Sequence, residues 1–201
     1  MTANEDGGRG SETPKELAAS STSPEELARW ATHADAQVRA AVAGNRAVTP
    51  RVLEDLACDE DWRVRAAAAA NAATDGFWLG ELTRDDDVRV RESVAGNPGL
   101  AGKDLARACE DDEPRVRAAA AGNPSASAAV LDQASQDRDW RVRACVGANA
   151  VAPMVLLHTL STDEDWRVRA KVAANPSAPS DVLATLALDG DAGVREAAQR
   201  P

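Results

Sequence analysis

The side chains in this 201-residue chain best suited to recognition chemistry are two rows of arginine and one of tryptophan. One arginine follows a valine in seven places, Arg39, Arg65, Arg91, Arg117, Arg143, Arg169 and Arg195, at steps of 26 residues. A second stands just ahead of that valine as Arg63, Arg89, Arg115, Arg141 and Arg167, with Gln37 and Gly193 at the same position in the outer units. Trp62, Trp140 and Trp166 precede members of the second row, where other units have Ala36, Val88, Pro114 and Ala192. A guanidinium binds carboxylate or phosphate through parallel N–H donors, and Arg beside Trp is the composition of binding hot spots.

The two rows read differently because of what surrounds them. Acids recur five residues before the valine (Asp59, Asp85, Asp111, Asp137, Asp163, Asp189) and again three before it (Asp35, Asp61, Asp87, Glu113, Asp139, Asp165, Asp191). The first arginine row could be taken for an anion-binding stripe, but acids in every unit point to an Asp–Arg ladder between repeats, which fixes register more than it adds stability. The second row occupies only the central units, as a binding surface would. Trp62, Arg63, Arg89, Arg115, Trp140, Arg141, Trp166 and Arg167 are therefore the candidate partner-binding residues. The plainer alternative is that the indoles cover the first turn of a helix and stack on a neighbouring arginine.

No catalytic constellation is visible. Cys58, Cys109 and Cys145 occupy different places in the unit, which argues against a disulfide framework or metal cluster and suggests reduced, partly buried thiols. His33 stands where other units have Asp, and His158 is isolated. There is no glycine-rich phosphate loop, nucleophile elbow or Cys–His pair. The reading is a protein that is not an enzyme, with no cofactor and no metal.

The elements that carry these rows follow from the 26-residue period, which no insertion breaks. Such a period marks a solenoid, in which each unit buries its apolar face by stacking on its neighbours. Eleven residues before the marker valine every unit has Leu: Leu27, Leu53, Leu79, Leu105, Leu131, Leu157 and Leu183. Three residues later comes a looser apolar position, so each pair lies on one face of a first helix. The acid three before the valine is placed to cap a second helix. That helix is built largely of small residues, for example Ala66 to Ala70, and should form the inner, closely packed layer. It stops at Asn45, Asn71, Asn97, Asn123, Asn149 and Asn175, where Asn is expected as a left-handed C-terminal cap. With Ala, Val and Leu dominant and no Tyr, the chain reads as all-α.

The organisation is then a Gly- and acid-rich disordered tail over residues 1–12, an N-terminal capping helix over 13–22, and one solenoid domain over 23–201. Its seven repeats are 23–48, 49–74, 75–100, 101–126, 127–152, 153–178 and 179–201. Thr13-Pro14 opens the capping helix, which is placed to cover the end of the stack; Ser23-Pro24 with Glu26 reads as a capping box opening the array. The last unit ends in Gln199-Arg200-Pro201, a more polar closing face.

Units of the form Asp-x-x-Val-Arg-x-x-Val-Ala-x-Asn-Pro followed by x-x-Leu-x-x-Leu-Ala resemble the leucine-rich repeat variant family and, more broadly, HEAT-like α-solenoids. The resemblance spans about residues 23–201. It implies a right-handed superhelix of about seven two-helix repeats, with one helix of each pair either α or 3₁₀, a choice the residues leave open. A family member carries a Cys-rich iron–sulphur segment ahead of its repeats; no Cys precedes Cys58 here, so that cofactor is not carried over.

The formal charge is −10, of which the first twenty residues supply −2 and the remainder −8. That balance repels phosphate backbones. The start has neither a basic nor an apolar signal region and no run approaches a membrane span, so a soluble, cytoplasmic monomer is expected. The expected function is a scaffold that binds a protein or peptide through its superhelical surface. A nucleic-acid-binding HEAT-like solenoid of the DNA-glycosylase type is the alternative, disfavoured by the charge. A HEAT-like chromophore-lyase enzyme is a weaker one.

Overall fold

The structure, a computed structural model, describes residues 12–199. The expected disordered tail therefore lies, apart from Glu12, outside the described residues. Fifteen α-helices, numbered in chain order, make up the described chain. The first is α1 (Pro14–Ser20). Seven first helices follow as α2 (Pro24–Trp30), α4 (Pro50–Ala57), α6 (Gly76–Leu82), α8 (Gly102–Ala108), α10 (Ala128–Ser135), α12 (Met154–Leu160) and α14 (Ser180–Leu186). Seven second helices alternate with them: α3 (Ala36–Ala43), α5 (Trp62–Ala70), α7 (Val88–Gly96), α9 (Pro114–Gly122), α11 (Trp140–Ala148), α13 (Trp166–Ala173) and α15 (Ala192–Ala198). Both helices of each pair are α, which settles the choice the residues left open. The protein is an all-α solenoid.

Two layers result. Each second helix packs extensively on the second helices before and after it, whereas neighbouring first helices touch only lightly. Small side chains permit this. A Cβ placed on Gly147 would stand 3.0 Å from Val172 Cγ2, a tight contact at which the valine would have to give way. Helix α1 packs on α3 and takes the place of a second helix at the start of the stack.

The core is a continuous strip between the layers. Leu27, Leu53, Leu79, Leu105, Leu131 and Leu157 are fully buried, as are Val64, Val90 and Val168 of the second helices. Leu183, in the last unit, is only half-buried, because no following repeat lies against it in the described residues.

Local signals behave as the sequence suggests, with two corrections. The acid three before the valine caps the second helix: Asp61, Asp87, Asp139 and Asp165 each accept the N–H of the residue two on at 2.8–2.9 Å. Glu113 makes no such side-chain bond. The capping box expected at Ser23 is incomplete. Ser23 Oγ accepts the Glu26 N–H, but Ser21 Oγ accepts the Ser23 N–H and donates to the Glu26 carboxylate. The complete box is at Thr13 and Glu16.

The second correction concerns the asparagines. No described residue has a positive φ, and Asn71, Asn97, Asn123 and Asn149 are extended, with φ between −74° and −66°. Their role is to link repeats. Asn123 Nδ2 donates to the carbonyls of Ala95 (2.7 Å) and Asn97 (2.8 Å) in the preceding unit, while its Oδ1 accepts the Ser125 N–H (2.8 Å). Asn71, Asn97, Asn149 and Asn175 repeat this arrangement, and Asn45 reaches back to Ala18, Ala19 and Ser21 around the end of α1. Carbonyls at the ends of one unit's helix thus receive donors from the next unit.

Leu105→Ala should cost roughly 2–5 kcal/mol as a buried cavity mutation. A loss below about 0.5 kcal/mol in urea denaturation, the scale of surface substitutions, would place Leu105 outside the core. Asn123→Asp keeps the shape and the acceptor but leaves the buried Ala95 carbonyl without a donor, while the Asn97 carbonyl keeps the Leu100 N–H, and it sets a carboxylate oxygen against both, so a cost of about 2 kcal/mol or more is expected. A variant as stable as the wild type would mean the amide links contribute little.

Candidate functional site

Both arginine rows lie along the edge where first helices turn into second helices; the asparagines lie along the opposite edge. The row after the valine forms a ladder. Arg117 sends Nε and Nη2 to the two oxygens of Asp137 in the next unit (2.6 and 3.0 Å), and Nη1 to the carbonyls of Asp111 and Asp112 in its own loop (2.8 and 3.0 Å). Asp137 Oδ1 also accepts the Asp139 N–H at 2.8 Å. The side chains of Arg117 and Asp137 are only 8% and 11% exposed. Arg39, Arg65, Arg91, Arg143 and Arg169 make the same fork-to-carboxylate contact with Asp59, Asp85, Asp111, Asp163 and Asp189. These arginines have their donors committed within the chain, which is the ladder the acids implied and not an anion stripe.

The ladder has distinctive ends. His33 fills the first Asp position, and its Nδ1 accepts the Asp35 N–H at 3.0 Å, the backbone task Asp137 Oδ1 performs. Arg195, in the last unit, keeps the loop contacts of its Nη1 to Asp189 and Gly190.

Burial pushes the carboxyls of Asp59, Asp111, Asp137 and Asp163 up, but hydrogen bonds from the arginine and from the backbone N–H two residues on pull harder. Each is therefore held below the usual carboxylate range. At Asp189 the bond from Arg169 is the largest influence and acts in the same direction.

The row before the valine is exposed and folded onto its own caps. Arg63, Arg89, Arg141 and Arg167 pair with Asp61 (3.2 Å), Asp87 (2.6 Å), Asp139 (3.3 Å) and Asp165 (3.1 Å), the residues that start their helices. Arg115, which follows Pro114 and the Glu113 cap, reaches Glu92 at 3.8 Å instead. The indoles lie among these arginines. The Arg89 guanidinium sits 3.3 Å from the centre of the Trp62 ring and Arg63 4.8 Å from it. Trp140 is flanked in the same way by Arg141 (5.1 Å) and Arg167 (4.7 Å). All eight candidate residues thus fall on one edge, but in separate groups: Trp62 with Arg63 and Arg89, Trp140 with Arg141, Arg167 and Trp166, and Arg115 between them. The stacking anticipated as the plainer role of the indoles is present. It leaves Trp166, 44% exposed, as the open one.

Other candidates do not converge. Cys58 is exposed, against the expectation that all three thiols are partly buried; Cys109 is buried and its thiol is pushed up to about 11 by desolvation. His158 lies 3.7 Å from Asp181 and far along the chain from His33. No group of three potential metal ligands occurs among the described residues. Sequence reasoning did not single out the exposed apolar side chains Phe77, Met154 and Val155. They sit at the starts of first helices, the edge opposite the arginine rows.

Helix pairs stacked in one register, with polar ladders along both edges, define an α-helical repeat protein. Within that class, residues 166–191, which run from the second helix of the sixth unit into the seventh, match the leucine rich repeat variant family, and the Leu and Val-Arg positions recur in the same register in every unit. The chain is similar to a solved structure described as a leucine-rich repeat variant with a novel repetitive structural motif, at 27% identity and TM-score 0.59, over 88% of this chain and 70% of that one. It is also similar to the Escherichia coli protein YibA (20% identity, TM-score 0.45, 92% and 71% covered) and to a designed armadillo repeat protein (14%, TM-score 0.36, 88% and 97%). No protein among those with curated functions matches the sequence. Among the described residues no helix is long and apolar enough to cross a membrane.

The depressed aspartates set a pH dependence. Their unfolded counterparts titrate near 3.9; with lower folded values, the ladder's contribution is complete above about pH 5 and is lost as pH falls through the folded pKa values. Thermal unfolding should show an acid limb below about pH 4, and Asp137→Asn should be less stable at neutral pH yet lose less between pH 5 and pH 3. An acid limb unchanged by the substitution would remove Asp137 from that account.

Proposed function

We propose that the protein is a non-enzymatic scaffold, acting as a monomer, that binds a protein or peptide along the edge formed by Trp62, Arg63, Arg89, Arg115, Trp140, Arg141, Trp166 and Arg167. The observation that carries this reading is the contrast between the two arginine rows. Both occur at one position per repeat, but the ladder row is buried in bidentate pairs, while the second row is exposed and joined to indoles in a pre-positioned strip across the central units. Rigid aromatic and guanidinium groups that are already ordered lose little conformational freedom on binding.

A protein partner is favoured over nucleic acid by the same contacts. Four of the five exposed arginines hold a cap aspartate of their own chain, and Arg115 lies near Glu92. Phosphates would have to compete with those carboxylates on a surface of net negative charge.

Substituting Arg89, Arg115 and Arg141 together by Glu leaves the ladder and core untouched. A protein captured from native lysate by the wild type, with or without nuclease, should be lost by this variant while its helical circular dichroism is unchanged. Capture that depends on nucleic acid, or that survives the triple substitution, would overturn the proposal.

A further inference from the structure

The exposed strip repeats a small device, and in the last unit one part of it is missing. At Trp62 the device is complete: Arg89, from the next repeat, stacks on the indole at 3.3 Å and closes a two-pronged contact with its cap aspartate, Nε to Asp87 Oδ1 at 2.9 Å and Nη2 to Asp87 Oδ2 at 2.6 Å. At Trp140 the next repeat's Arg167 takes the same place, 4.7 Å from the ring centre and 3.1 Å from Asp165. At Trp166 the corresponding position is Gly193, and the corresponding cap is Asp191.

The consequences are visible around that position. Trp62 and Trp140 are half-buried, whereas Trp166 is exposed and, among the described residues, the one cation over its ring is its own Arg167, at 5.3 Å. Asp191 Oδ1 accepts the Gly193 and Val194 N–H groups, so the cap itself is formed as in the other units; no ion pair reaches its carboxylate among the described residues. A Cβ built on Gly193 would lie 3.6 Å from Trp166 Cζ3, ordinary van der Waals contact, so the position Gly193 leaves open is directly beside the indole.

We infer that Trp166 and Asp191, with Gly193 between them, form a slot for an arginine side chain supplied by a partner protein. The occupant is argued from the chain itself: wherever a repeat follows one of these indoles with arginine, the guanidinium lies on the ring and against the cap aspartate. Stacking on the indole and pairing with a carboxylate together suit a planar cation. The glycine prevents the protein from filling its own slot. The inference rests on the reading of this edge as a protein-binding surface and names what the partner brings to it.

The test uses the full chain and the blocked tripeptide acetyl-Gly-Arg-Gly-amide, with its citrulline counterpart as a neutral isostere. The five indole N–H resonances are followed by NMR. The arginine peptide should shift the Trp166 resonance selectively and saturably, the citrulline peptide should not, and Asp191→Asn, which keeps a capping oxygen, should weaken the response several-fold. Gly193→Arg should abolish it, because the protein's own guanidinium then occupies the slot. A Trp166 resonance unmoved by the arginine peptide, moved equally by citrulline, or still responsive in Gly193→Arg would overturn the inference. The Arg89, Arg115 and Arg141 triple substitution spares the slot and should still bind the tripeptide. Loss of a captured protein in that variant alongside an unresponsive Trp166 would reject the arginine slot and leave the broader surface standing.

Discussion

Arg117 reaches forward to Asp137 while Asn123 reaches back to Ala95 and Asn97, and the rest of the structure depends on these two opposed reaches. Each central unit has helix-end carbonyls and a loop carboxylate whose partners lie in an adjacent unit. Burying those groups unpaired would be costly, so the stack holds together only if each side chain arrives at its place in the neighbouring unit. A fixed period of 26 residues with no insertion is the sequence form of that requirement. The Leu and Val strip between the edges supplies the apolar burial, and the two ladders decide how one unit sits on the next.

The ladders also explain why the two arginine rows differ in availability. A guanidinium that forks onto a nearly buried carboxylate and two backbone carbonyls has its donors committed. Two residues earlier in the helix the side chain points to the rim, where its cap aspartate is near and solvent competes. The same residue type two positions apart therefore serves cohesion in one case and presents chemistry in the other.

Much of this was legible in the chain. The repeat, the paired helices, the Leu positions and the Asp–Arg pairing all follow from periodicity, because every unit repeats the same residues for the same reason. The asparagine was legible as a fixed position but not in its role: a terminal Asn has a local explanation as a cap, and only the packing of one unit on another shows its amide meeting Ala95 and Asn97. At Ser23 a local motif yielded to Ser21, a nearby hydroxyl with better reach. In the candidate site the row itself could be listed from sequence. That Trp62 and Trp140 are covered by arginines from the following repeat, and Trp166 is not, depends on how far side chains extend between units.

The opposed directions of the ladders bear on how such a protein can change over generations. A single inserted residue would move an arginine and an asparagine out of reach of their partners at once, whereas copying a whole 26-residue unit supplies a new donor and a new acceptor to both neighbours. Length can therefore be altered by duplication or loss of complete units, with the junctions needing no redesign. Variation within the central units meanwhile falls at positions the ladders do not use, among them the rim where Trp, Val and Pro already alternate from repeat to repeat.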